Sequence, residues 1–394
     1  MSLVMLPLGA WWFGGSSVVA GLANLVMVPL VGLVVVPLAL LAVVCMYLIP
    51  AVEPMLWQLA AWPLQQLLPL ARAVAQDGHW LYLQTHGSLL DVLLAATGVL
   101  LLILPLPLRA RALASLLVLP LLLPPDIQSG FPPPAESDGL TRVTVLDVGQ
   151  GTAVVISSGP EVLVYDTGGG DPAGANMADA VVLPYLRQQG RVAVDTLIIS
   201  HPDNDHSAGA ATLVAAMPPA RVYYGGDREA TAGAIPCVAG QAWRWPGGQQ
   251  FQFLSPLPVP AGSRPSNDSS CVLQVEAAGY RLLLAGDVES PQERELVRYW
   301  GSQLASDWML VPHHGSRTSS SWALLKTVRP SIAALSSGYA NRFGHPHEDV
   351  LARLEGAGAQ VYSTASGGAL EFDFAPGQPV KVRLRRESYK RFWM

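Results

Sequence analysis

The chain has 394 residues, of which 51% are hydrophobic and only 13% are charged. This length exceeds an ordinary single domain and this composition is too apolar for an ordinary soluble protein, so we expect at least two units, one of them in a membrane. The net charge of −5 excludes a strongly basic surface that would hold nucleic acid by neutralising phosphates, although a local basic groove is compatible with it.

The first 125 residues carry very few charges and predict a partial transmembrane domain. The run from Leu22 to Pro50 has no Asp, Glu, Lys or Arg, and Asp91 is the one charged residue between Leu89 and Leu108. Each run is long enough to cross the hydrocarbon core. A third run, Ala112 to Pro125, is shorter, and Leu56 to Leu70 has the mixed polarity of a helix at the membrane interface. Buried core helices of a soluble domain are the alternative.

Two arginines and two cysteines bear on the orientation of the chain. Arg109 and Arg111 lie between two apolar runs, and the positive-inside rule places this short loop in the cytoplasm. The chain beyond Pro125 then lies on the extracytoplasmic side. In that oxidising compartment Cys237 and Cys271 can persist as a disulfide, with two ordinary buried thiols as the alternative.

A proline-rich segment separates the apolar residues 1–125 from the rest of the chain. Residues 126–139 combine prolines with polar residues, which predicts a linker. Residues 140–394 are enough for one α/β domain with its own core. We therefore expect a helical membrane segment followed by a soluble α/β domain.

Within the soluble domain, short apolar strands alternate with helices, and polar turns follow several of the strands. These turns are Asp147 to Gly151, Asp166 to Gly170, His201 to His206, Gly286 to Val288, Pro312 to Ser316 and Ser336 to His347. Such turns bring backbone N–H groups and polar side chains to strand ends, where a ligand can approach. We expect layered sheets flanked by helices, with a site along one edge of the sheets.

A dense cluster of metal-ligand residues follows the apolar run from Val194 to Ile199, which predicts a buried strand. His201 and Asp203, two residues apart, can face one ion, whereas the adjacent Asp205 and His206 can face a second ion nearby. Two such ions polarise a phosphoryl or carbonyl oxygen and generate hydroxide at neutral pH. A polar surface turn with helix-capping aspartates is the alternative.

The distribution of histidine favours the metal interpretation. Six of the eight histidines fall in three tight clusters, each after an apolar strand-like run: His201 with His206, His313 with His314, and His345 with His347. Scattered core or surface histidines would not be expected to cluster in this way. Asp287 follows a later strand, where it can bridge two ions or simply cap the next helix.

Six motifs in order resemble the ComEC family of bacterial competence proteins. They are Leu146 to Thr152, Ser200 to Gly209, Asn267 to Leu273, Leu283 to Val288, His313 to Ser316 and Asn341 to His347. The resemblance implies a soluble domain of the metallo-β-lactamase fold, an αββα sandwich in which two antiparallel sheets pack between helices. It also implies a dinuclear metal site at the sheet edge.

The same resemblance implies a multi-pass protein of the bacterial inner membrane through which single-stranded DNA enters during natural transformation. The soluble domain would be a nuclease that degrades the strand that is not imported. The implied partners are incoming double-stranded DNA, the imported single strand, membrane lipid and other competence DNA-uptake proteins. Because family members carry an N-terminal OB-like domain and more membrane helices, we expect this chain to correspond to the C-terminal part of such a protein, with an N-terminal channel portion as a further partner.

The implied mechanism assigns roles to individual residues. The metal ligands would be His201, Asp203, Asp205, His206 and Asp287, with His313 or His314 as the remaining imidazole. Asp205 could instead act as a catalytic base that orients the nucleophile.

His345 and His347 would act on the scissile phosphate, unless they only begin a helix. Gln150, Ser316 and Ser319 would contact substrate, unless the serines only cap a helix.

Two departures from the family pattern leave the metal open. The pattern has histidine where this chain has Asp203, and a carboxylate makes that site harder, so manganese or magnesium competes better with zinc. The pattern also usually places a histidine between the first cluster and Gly-Asp, and no histidine lies between His206 and His313. We expect two divalent ions drawn from these three metals.

Other functions stay open on the sequence. The fold also hosts hydrolases of other substrates, such as a phosphocholine, a thioester or a lactam. A non-catalytic DNA-binding or channel-scaffold module is the other possibility. The basic, aromatic end of the chain from Lys381 to Trp393 either contacts a DNA backbone or is a solvated last strand and tail.

Overall fold

In a computed structural model of the chain, the described residues are 7, 15–17, 19–77, 82–84, 89–122, 139–226, 233–257 and 266–388. The chain divides into two compact units, Met1–Pro134 and Ala135–Met394, and each is described by itself. The linker predicted at 126–139 lies outside the described residues except for its last position, as do residues 389–394 of the basic tail.

The first unit is mainly helical in its described part. Its two short strands, β1 (Gly15–Ser17) and β2 (Tyr82–Gln84), pair antiparallel. Its helices are α1 (Val19–Leu30), α2 (Val36–Leu48), α3 (Glu53–Asp77), α4 (Leu89–Ile103), α5 (Leu108–Leu116) and α6 (Leu119–Leu122), and a π-helical turn, Val31–Val35, joins α1 to α2.

One helix among the described residues, Ala23–Leu48, is long and apolar enough to cross a membrane. It coincides with the predicted run from Leu22 to Pro50. The predicted run from Leu89 gives a shorter apolar helix, Leu90–Ile103. The described residues therefore contain one candidate span where the sequence predicted several.

Prolines explain why the other runs are shorter than predicted. α4 ends at Ile103, and Pro105 and Pro107 follow, which disfavour helical backbone at the residues before them. The run predicted from Ala112 is divided between α5 and α6. The interfacial helix predicted from Leu56 to Leu70 is the central part of the longer α3.

Two sheets form the centre of the second unit. Its strands in chain order are β3 (Thr141–Val145), β4 (Val154–Ser158), β5 (Glu161–Tyr165), β6 (Thr196–Ile199), β7 (Arg221–Tyr224), β8 (Ile235–Pro236), β9 (Ala242–Arg244), β10 (Gln250–Ser255), β11 (Val272–Ala277), β12 (Tyr280–Leu284), β13 (Trp308–Leu310), β14 (Ile332–Leu335), β15 (Gln360–Ser363), β16 (Leu370–Phe374) and β17 (Lys381–Leu384). The spatial orders are β17-β16-β3-β4-β5-β6-β7-β8 and β15-β14-β13-β12-β11-β10-β9.

Both sheets are mixed, so the expectation of two antiparallel sheets is wrong. β3, β4 and β5 pair antiparallel with one another in chain order, and so do β10, β11 and β12. Where helices and longer connections intervene, β5, β6 and β7 pair in parallel, as do β12, β13, β14 and β15. A crossover returns the chain to the edge where it started, which makes the next strand parallel. The turns after β12, β13 and β14 consequently meet at one edge of their sheet.

Helices cover the outer faces of both sheets. The helices of this unit are α7 (Leu183–Gln188), which continues the π-helical turn Ala178–Val182, α8 (Asn204–Ser207), α9 (Ala210–Ala216), α10 (Ser290–Trp300), α11 (Trp322–Val328), α12 (Glu348–Gly356), α13 (Thr364–Gly367) and α14 (Arg385–Ser388), with 3₁₀ turns at Asn267–Ser269, Gly301–Leu304 and Pro312–Gly315. α7 and α9 pack on the first sheet, and α10, α11 and α12 pack on the second. The second unit is therefore an αββα sandwich, as the sequence predicted.

The strands are apolar on both faces because each sheet is covered on both sides. In β5, Leu163 and Tyr165 belong to the core between the two sheets. Val162 and Val164 belong to the core beneath α7 and α9. This double burial fixes the register of β5 and so fixes where the turn that follows it lies.

Candidate metal centre

The turn after β6 carries the first group of predicted ligands. His201 and His206 are fully buried, and their ring centroids lie 4.2 Å apart. The side chains of Asp203 and Asp205 are 46% and 37% exposed, so they lie at the solvent boundary. The turn thus presents two buried imidazoles beneath two accessible carboxylates.

The turns after β12 and β13 bring the remaining groups to this point. The Nε2 atom of His206 lies 3.2 Å from Oδ2 of Asp287 and 3.2 Å from Nε2 of His314. The Nε2 atom of His314 lies 3.2 Å from Oδ2 of Asp205 and 3.4 Å from Oδ2 of Asp287. Two overlapping groups result, His201 with His206 and Asp287, and Asp205 with His206 and His314, each with ligand atoms within 4.8 Å of one another.

The geometry favours His314 over His313 as the additional imidazole. His314 is 2% exposed, and its Nδ1 lies 2.9 Å from the carbonyl oxygen of Ser336. A proton on that nitrogen leaves the lone pair of Nε2 directed at the carboxylates. His313 is 22% exposed, and its Nδ1 faces Oγ1 of Thr318 at 3.2 Å. Its Nε2 is 3.9 Å from Oδ2 of Asp287, at the margin of the group.

Asp166 supports the centre, and sequence reasoning missed this role. It is fully buried after β5, where its Oδ2 lies 2.7 Å from Nδ1 of His206 and accepts a hydrogen bond from Oγ of Ser200 at 2.7 Å. Its Oδ1 accepts the backbone N–H of Ser200 at 2.6 Å. A carboxylate on Nδ1 fixes the tautomer and the orientation of the ring, so that Nε2 faces the centre. The signal in the sequence was an aspartate at a strand end before Thr-Gly-Gly-Gly.

Opposite charges within the centre shift the pKa values of its members in opposite directions. Burial disfavours the charged form of Asp287, but His206 and His314 outweigh it and hold its pKa well below the usual range. Burial also opposes ionisation of Asp205, yet the hydrogen bond with His314 and the charge of His206 lower its pKa to about 2. Burial alone would lower the pKa of His314, but Asp287 and Asp205 raise it to about 9. Protons on the imidazoles thus neutralise the carboxylates.

The residues fit a divalent cation. The Nε2 atom of His201 is buried and has no hydrogen-bond partner among the described residues. Oδ2 of Asp203 lies 3.6 Å from this nitrogen, too far for a hydrogen bond, and a buried nitrogen without one costs about 1–3 kcal/mol. Its lone pair and the neighbouring imidazoles and carboxylates form a mixed nitrogen and oxygen donor set that suits zinc or manganese. A cation would satisfy this nitrogen and replace the protons.

We expect the affinity for zinc or manganese to rise with pH up to about 9, because the imidazole of His314, with its pKa of about 9, must lose a proton before it can coordinate. Each proton that competes with the ion lowers the affinity about tenfold per pH unit below that pKa. Calorimetric titration at several pH values, in buffers of different ionisation enthalpy, measures both the affinity and the protons released. An affinity that is flat between about pH 6.5 and 8.5 would contradict this linkage.

The last pair of predicted histidines divides between two positions. The ring of His345 lies 6.0 Å from that of His313 and 6.4 Å from that of His314, beside the centre. Burial and the charges of the nearby histidines lower the pKa of His345. The Nδ1 atom of His347 instead accepts the backbone N–H of Asp349 at 3.2 Å and caps α12. This is the helix-start role that the sequence left open for His347.

Of the residues expected to contact substrate, Gln150 lies against His345, whereas the two serines bond within their own loop. Gln150 lies with its Nε2 3.4 Å from Nδ1 of His345, so it supports that ring. Ser319 is fully buried, and its Oγ lies 2.9 Å from the carbonyl oxygen of Pro312. Ser316 faces Oγ1 of Thr318 at 3.2 Å. The cap of α11 is Ser321, at neither predicted serine.

The described part of the basic C-terminal segment is paired with acids of the fold. Arg383 forms ion pairs with Glu371 at 3.0 Å and Asp373 at 2.7 Å, and Arg385 also pairs with Glu371. Arg386 pairs with Asp147 at 2.8 Å. These contacts favour the interpretation of residues 381–384 as the last strand, β17, at the edge of the first sheet, over a DNA contact. Residues 389–394, which hold the aromatic part, lie outside the described residues.

Cys237 and Cys271 form a disulfide beneath the first ligand turn, with Cα atoms 5.8 Å apart. The backbone N–H of Cys271 donates to the carbonyl oxygen of Ser200 at 2.9 Å, and its own carbonyl accepts the hydroxyl of Tyr165 at 2.7 Å. The cross-link therefore joins the end of β8 to the start of β11, and the hydrogen bond from Cys271 to Ser200 connects it to the turn that carries His201.

Reduction of this disulfide is expected to lower the free energy of unfolding of the second unit. The bridge closes a loop of 34 residues, and a loop of that length is worth about 3–4 kcal/mol. Urea unfolding with and without a reductant measures the difference, and the double variant Cys237→Ala/Cys271→Ala should match the reduced chain. Equal midpoints in both conditions would show that the cross-link stabilises nothing. The remaining cysteine, Cys45, is a buried free thiol in the first unit, so Cys45→Ala is the control.

Two family models match successive parts of the chain. The model of the metallo-beta-lactamase superfamily matches residues 146–339, and the model of the competence protein family matches residues 1–111. Competence protein ComA of Neisseria gonorrhoeae is 36% identical over 302 residues, which are 77% of this chain and 41% of that protein. Recombination protein 2 of Haemophilus influenzae is 39% identical over 239 residues, 59% of this chain and 29% of that protein.

The chain spans less than half the length of these two relatives. Among solved structures, the metallo-beta-lactamase fold protein YhfI from Bacillus subtilis aligns with a TM-score of 0.39 at 12% identity, over 59% of this chain and 99% of that one.

Proposed function

The chain belongs to the ComEC family of competence proteins, and from that premise we propose that its second unit is a metal-dependent phosphodiesterase that acts on DNA. The observation that carries the proposal is the buried cluster of His201, His206, His314 and Asp287, in which Nε2 of His201 has no hydrogen-bond partner among the described residues. Buried imidazoles and carboxylates that converge in this way either pair with one another or coordinate a cation, and the free Nε2 of His201 favours the cation. Asp205 at its solvent edge leaves the centre open to a substrate.

Bound divalent ions would supply Lewis acidity toward a phosphoryl oxygen and a nucleophile at neutral pH. The ligands would be His201, His206, Asp287, Asp205 and His314, with Asp203 at the exposed margin. Asp166 keeps Nε2 of His206 directed at the centre, as the hydrogen bonds to its carboxylate require.

His345 would bind the substrate as a neutral imidazole. Its pKa is lowered by burial and by the neighbouring histidines, so at neutral pH it holds one proton. A neutral ring donates a hydrogen bond to a non-bridging phosphate oxygen more readily than it protonates a leaving group. Gln150 orients this ring from the side of the first sheet.

A panel of substrates tests the reaction class. The chain, purified in detergent because of its apolar first unit and loaded with manganese, zinc or magnesium, is offered labelled DNA, a chromogenic cephalosporin, a thioester and a phosphocholine ester. We expect metal-dependent cleavage of DNA and no turnover of the other three. Turnover of one of those three without DNA cleavage would instead support a hydrolase of another ester.

We further propose a role in DNA uptake during natural transformation, with the second unit acting on the strand that is not imported. Membership of the competence family supports this role, and incoming duplex, imported single strand and other uptake proteins would be its partners. The apolar helix Ala23–Leu48 supports attachment to the inner membrane. The disulfide between Cys237 and Cys271 supports an extracytoplasmic position for the second unit. Labelling of a single introduced surface cysteine with a membrane-impermeant reagent in intact cells tests that position.

A further inference from the structure

The loop between β14 and α12, residues 336–347, exposes two aromatic side chains beside the candidate metal centre. Tyr339 is 81% exposed and Phe343 is 54% exposed. Among the described residues of the second unit, the other exposed Phe, Tyr and Trp side chains are Tyr299 and Trp322, each on a helix. An aromatic ring exposed to water is unfavourable by the hydrophobic effect. Two such rings on one loop therefore indicate a surface that binds a ligand.

The aromatic rings of this loop lead from the surface to the centre. The ring of Phe343 stacks on that of His345, with centroids 5.8 Å apart and planes 25° apart. The ring of His345 in turn lies 6.4 Å from that of His314, with planes 22° apart. A flat group bound on the outer face of Phe343 would therefore lie two rings away from the imidazole at the centre.

A positive charge accompanies the rings. The guanidinium carbon of Arg342 lies over the ring of Phe343, 4.8 Å from its centroid, so a base that stacks on this ring takes the place of the exposed arginine side chain and leaves it free to meet a phosphate. Aromatic faces next to an arginine are the combination that binds single-stranded nucleic acid, since bases stack on the rings and the cation meets the backbone.

The loop is held rigid by one side chain. The amide nitrogen of Asn341 donates to the carbonyl oxygens of Gly338 at 2.9 Å and His345 at 2.5 Å. Its amide oxygen accepts the backbone N–H groups of Phe343 at 3.1 Å and His345 at 3.0 Å. A platform ordered in advance loses little conformational entropy when a ligand binds.

We propose that Tyr339 and Phe343 form a base-stacking platform for single-stranded DNA, with Arg342 on the adjoining phosphate. The inference rests on the proposed function and names its substrate class, because bases in a duplex are stacked on one another and cannot offer their faces to protein rings. The nucleotide on the platform would place the neighbouring phosphate toward His345 and the centre. The second unit thereby prefers a strand that is already separated from its complement.

Binding of a fluorescent oligothymidine tests the platform independently of cleavage. Fluorescence anisotropy is measured with the full chain in detergent and a chelator, so that no hydrolysis takes place. The double variant Tyr339→Leu/Phe343→Leu is expected to bind about tenfold or more weakly than the unchanged chain, because stacking of each base on an aromatic ring is lost. Tyr299→Leu removes an exposed tyrosine from α10 and should leave the affinity unchanged.

An abasic oligomer of the same length separates stacking from phosphate contacts. The double variant and the unchanged chain should bind this oligomer equally, since neither can stack bases that are absent. Equal affinity of the two proteins for oligothymidine would overturn the platform, and so would an equal loss for both oligomers. If the platform is supported while DNA is not cleaved with any metal, the hydrolase proposal fails and the platform stands.

Discussion

Replacing Asp287 with asparagine is expected to abolish tight metal binding and to lower the rate of DNA hydrolysis about a thousandfold or more, equivalent to about 4 kcal/mol. The side chain of Asp287 is 5% exposed, and its Oδ2 lies within 3.4 Å of the Nε2 atoms of both His206 and His314. Asparagine keeps the shape of the side chain but removes the negative charge that two cations or two imidazolium rings would share. The metal bound per chain, by mass spectrometry of the eluted ion, and the cleavage rate are measured on the same sample.

A matched carboxylate controls for the loss of charge alone. Asp179 is exposed in the first turn of the π-helical segment that precedes α7, so Asp179→Asn makes the same chemical change away from the centre. It should retain metal and activity. If Asp287→Asn retained its metal and cleaved at the rate of Asp179→Asn, Asp287 would not belong to the centre.

Replacing Gly225 with alanine is expected to destabilise the second unit by about 3 kcal/mol or more and to displace the turn that carries His201. A Cβ atom on Gly225 would lie 1.9 Å from the carbonyl oxygen of Ser200 and 2.7 Å from that of Ser269. Both obstacles are backbone atoms, so the clash can be relieved only by moving one of the two turns. Since the Ser200 carbonyl also accepts the N–H of Cys271, the movement reaches the disulfide.

Gly169→Ala is the control for this substitution. A Cβ atom on Gly169 would meet its nearest neighbour, the Cα atom of Asp205, at 3.4 Å, an ordinary van der Waals contact. We expect a change within about 0.5 kcal/mol. Urea unfolding and metal titration are run on both variants. A Gly225→Ala protein as stable and as metal-competent as Gly169→Ala would show that the close approach to Ser200 is not required.

The alternation of strands and helices and the position of the site at a sheet edge could be predicted from the sequence, because the hydrophobic pattern of each segment agrees with its place in the fold. The apolar run before His201 and the glycine after β12 mark strand ends, and a sheet edge gathers such ends into one place. The direction in which neighbouring strands pair could not be predicted from the sequence, because a short apolar strand has the same hydrophobic pattern in a parallel and in an antiparallel pair. The family expectation of antiparallel sheets failed where crossovers join β12, β13, β14 and β15.

The candidate site was only partly predictable for a related reason. His206 and His314 are 108 residues apart and meet because two sheets pack face to face. The choice between His313 and His314 depends on which ring turns inward, and adjacent residues give no pattern that decides it. Asp166 lies 40 residues before His206, and an aspartate at a strand end before three glycines is equally typical of a plain turn, so the sequence did not show that its carboxylate contacts His206. His347 matched both a catalytic histidine and a helix cap, and the structure shows it as the cap of α12.

Cleavage of a labelled DNA single strand by the chain before and after metal removal is the most direct test of a hydrolytic metal centre. The prediction is that a chelator abolishes cleavage and that manganese or zinc restores it in proportion to the ion bound at His201, His206, Asp287, Asp205 and His314. A chain that is folded and metal-loaded but cleaves no DNA with any of the ions would contradict it. A binding or scaffold role in DNA uptake would then be the better account.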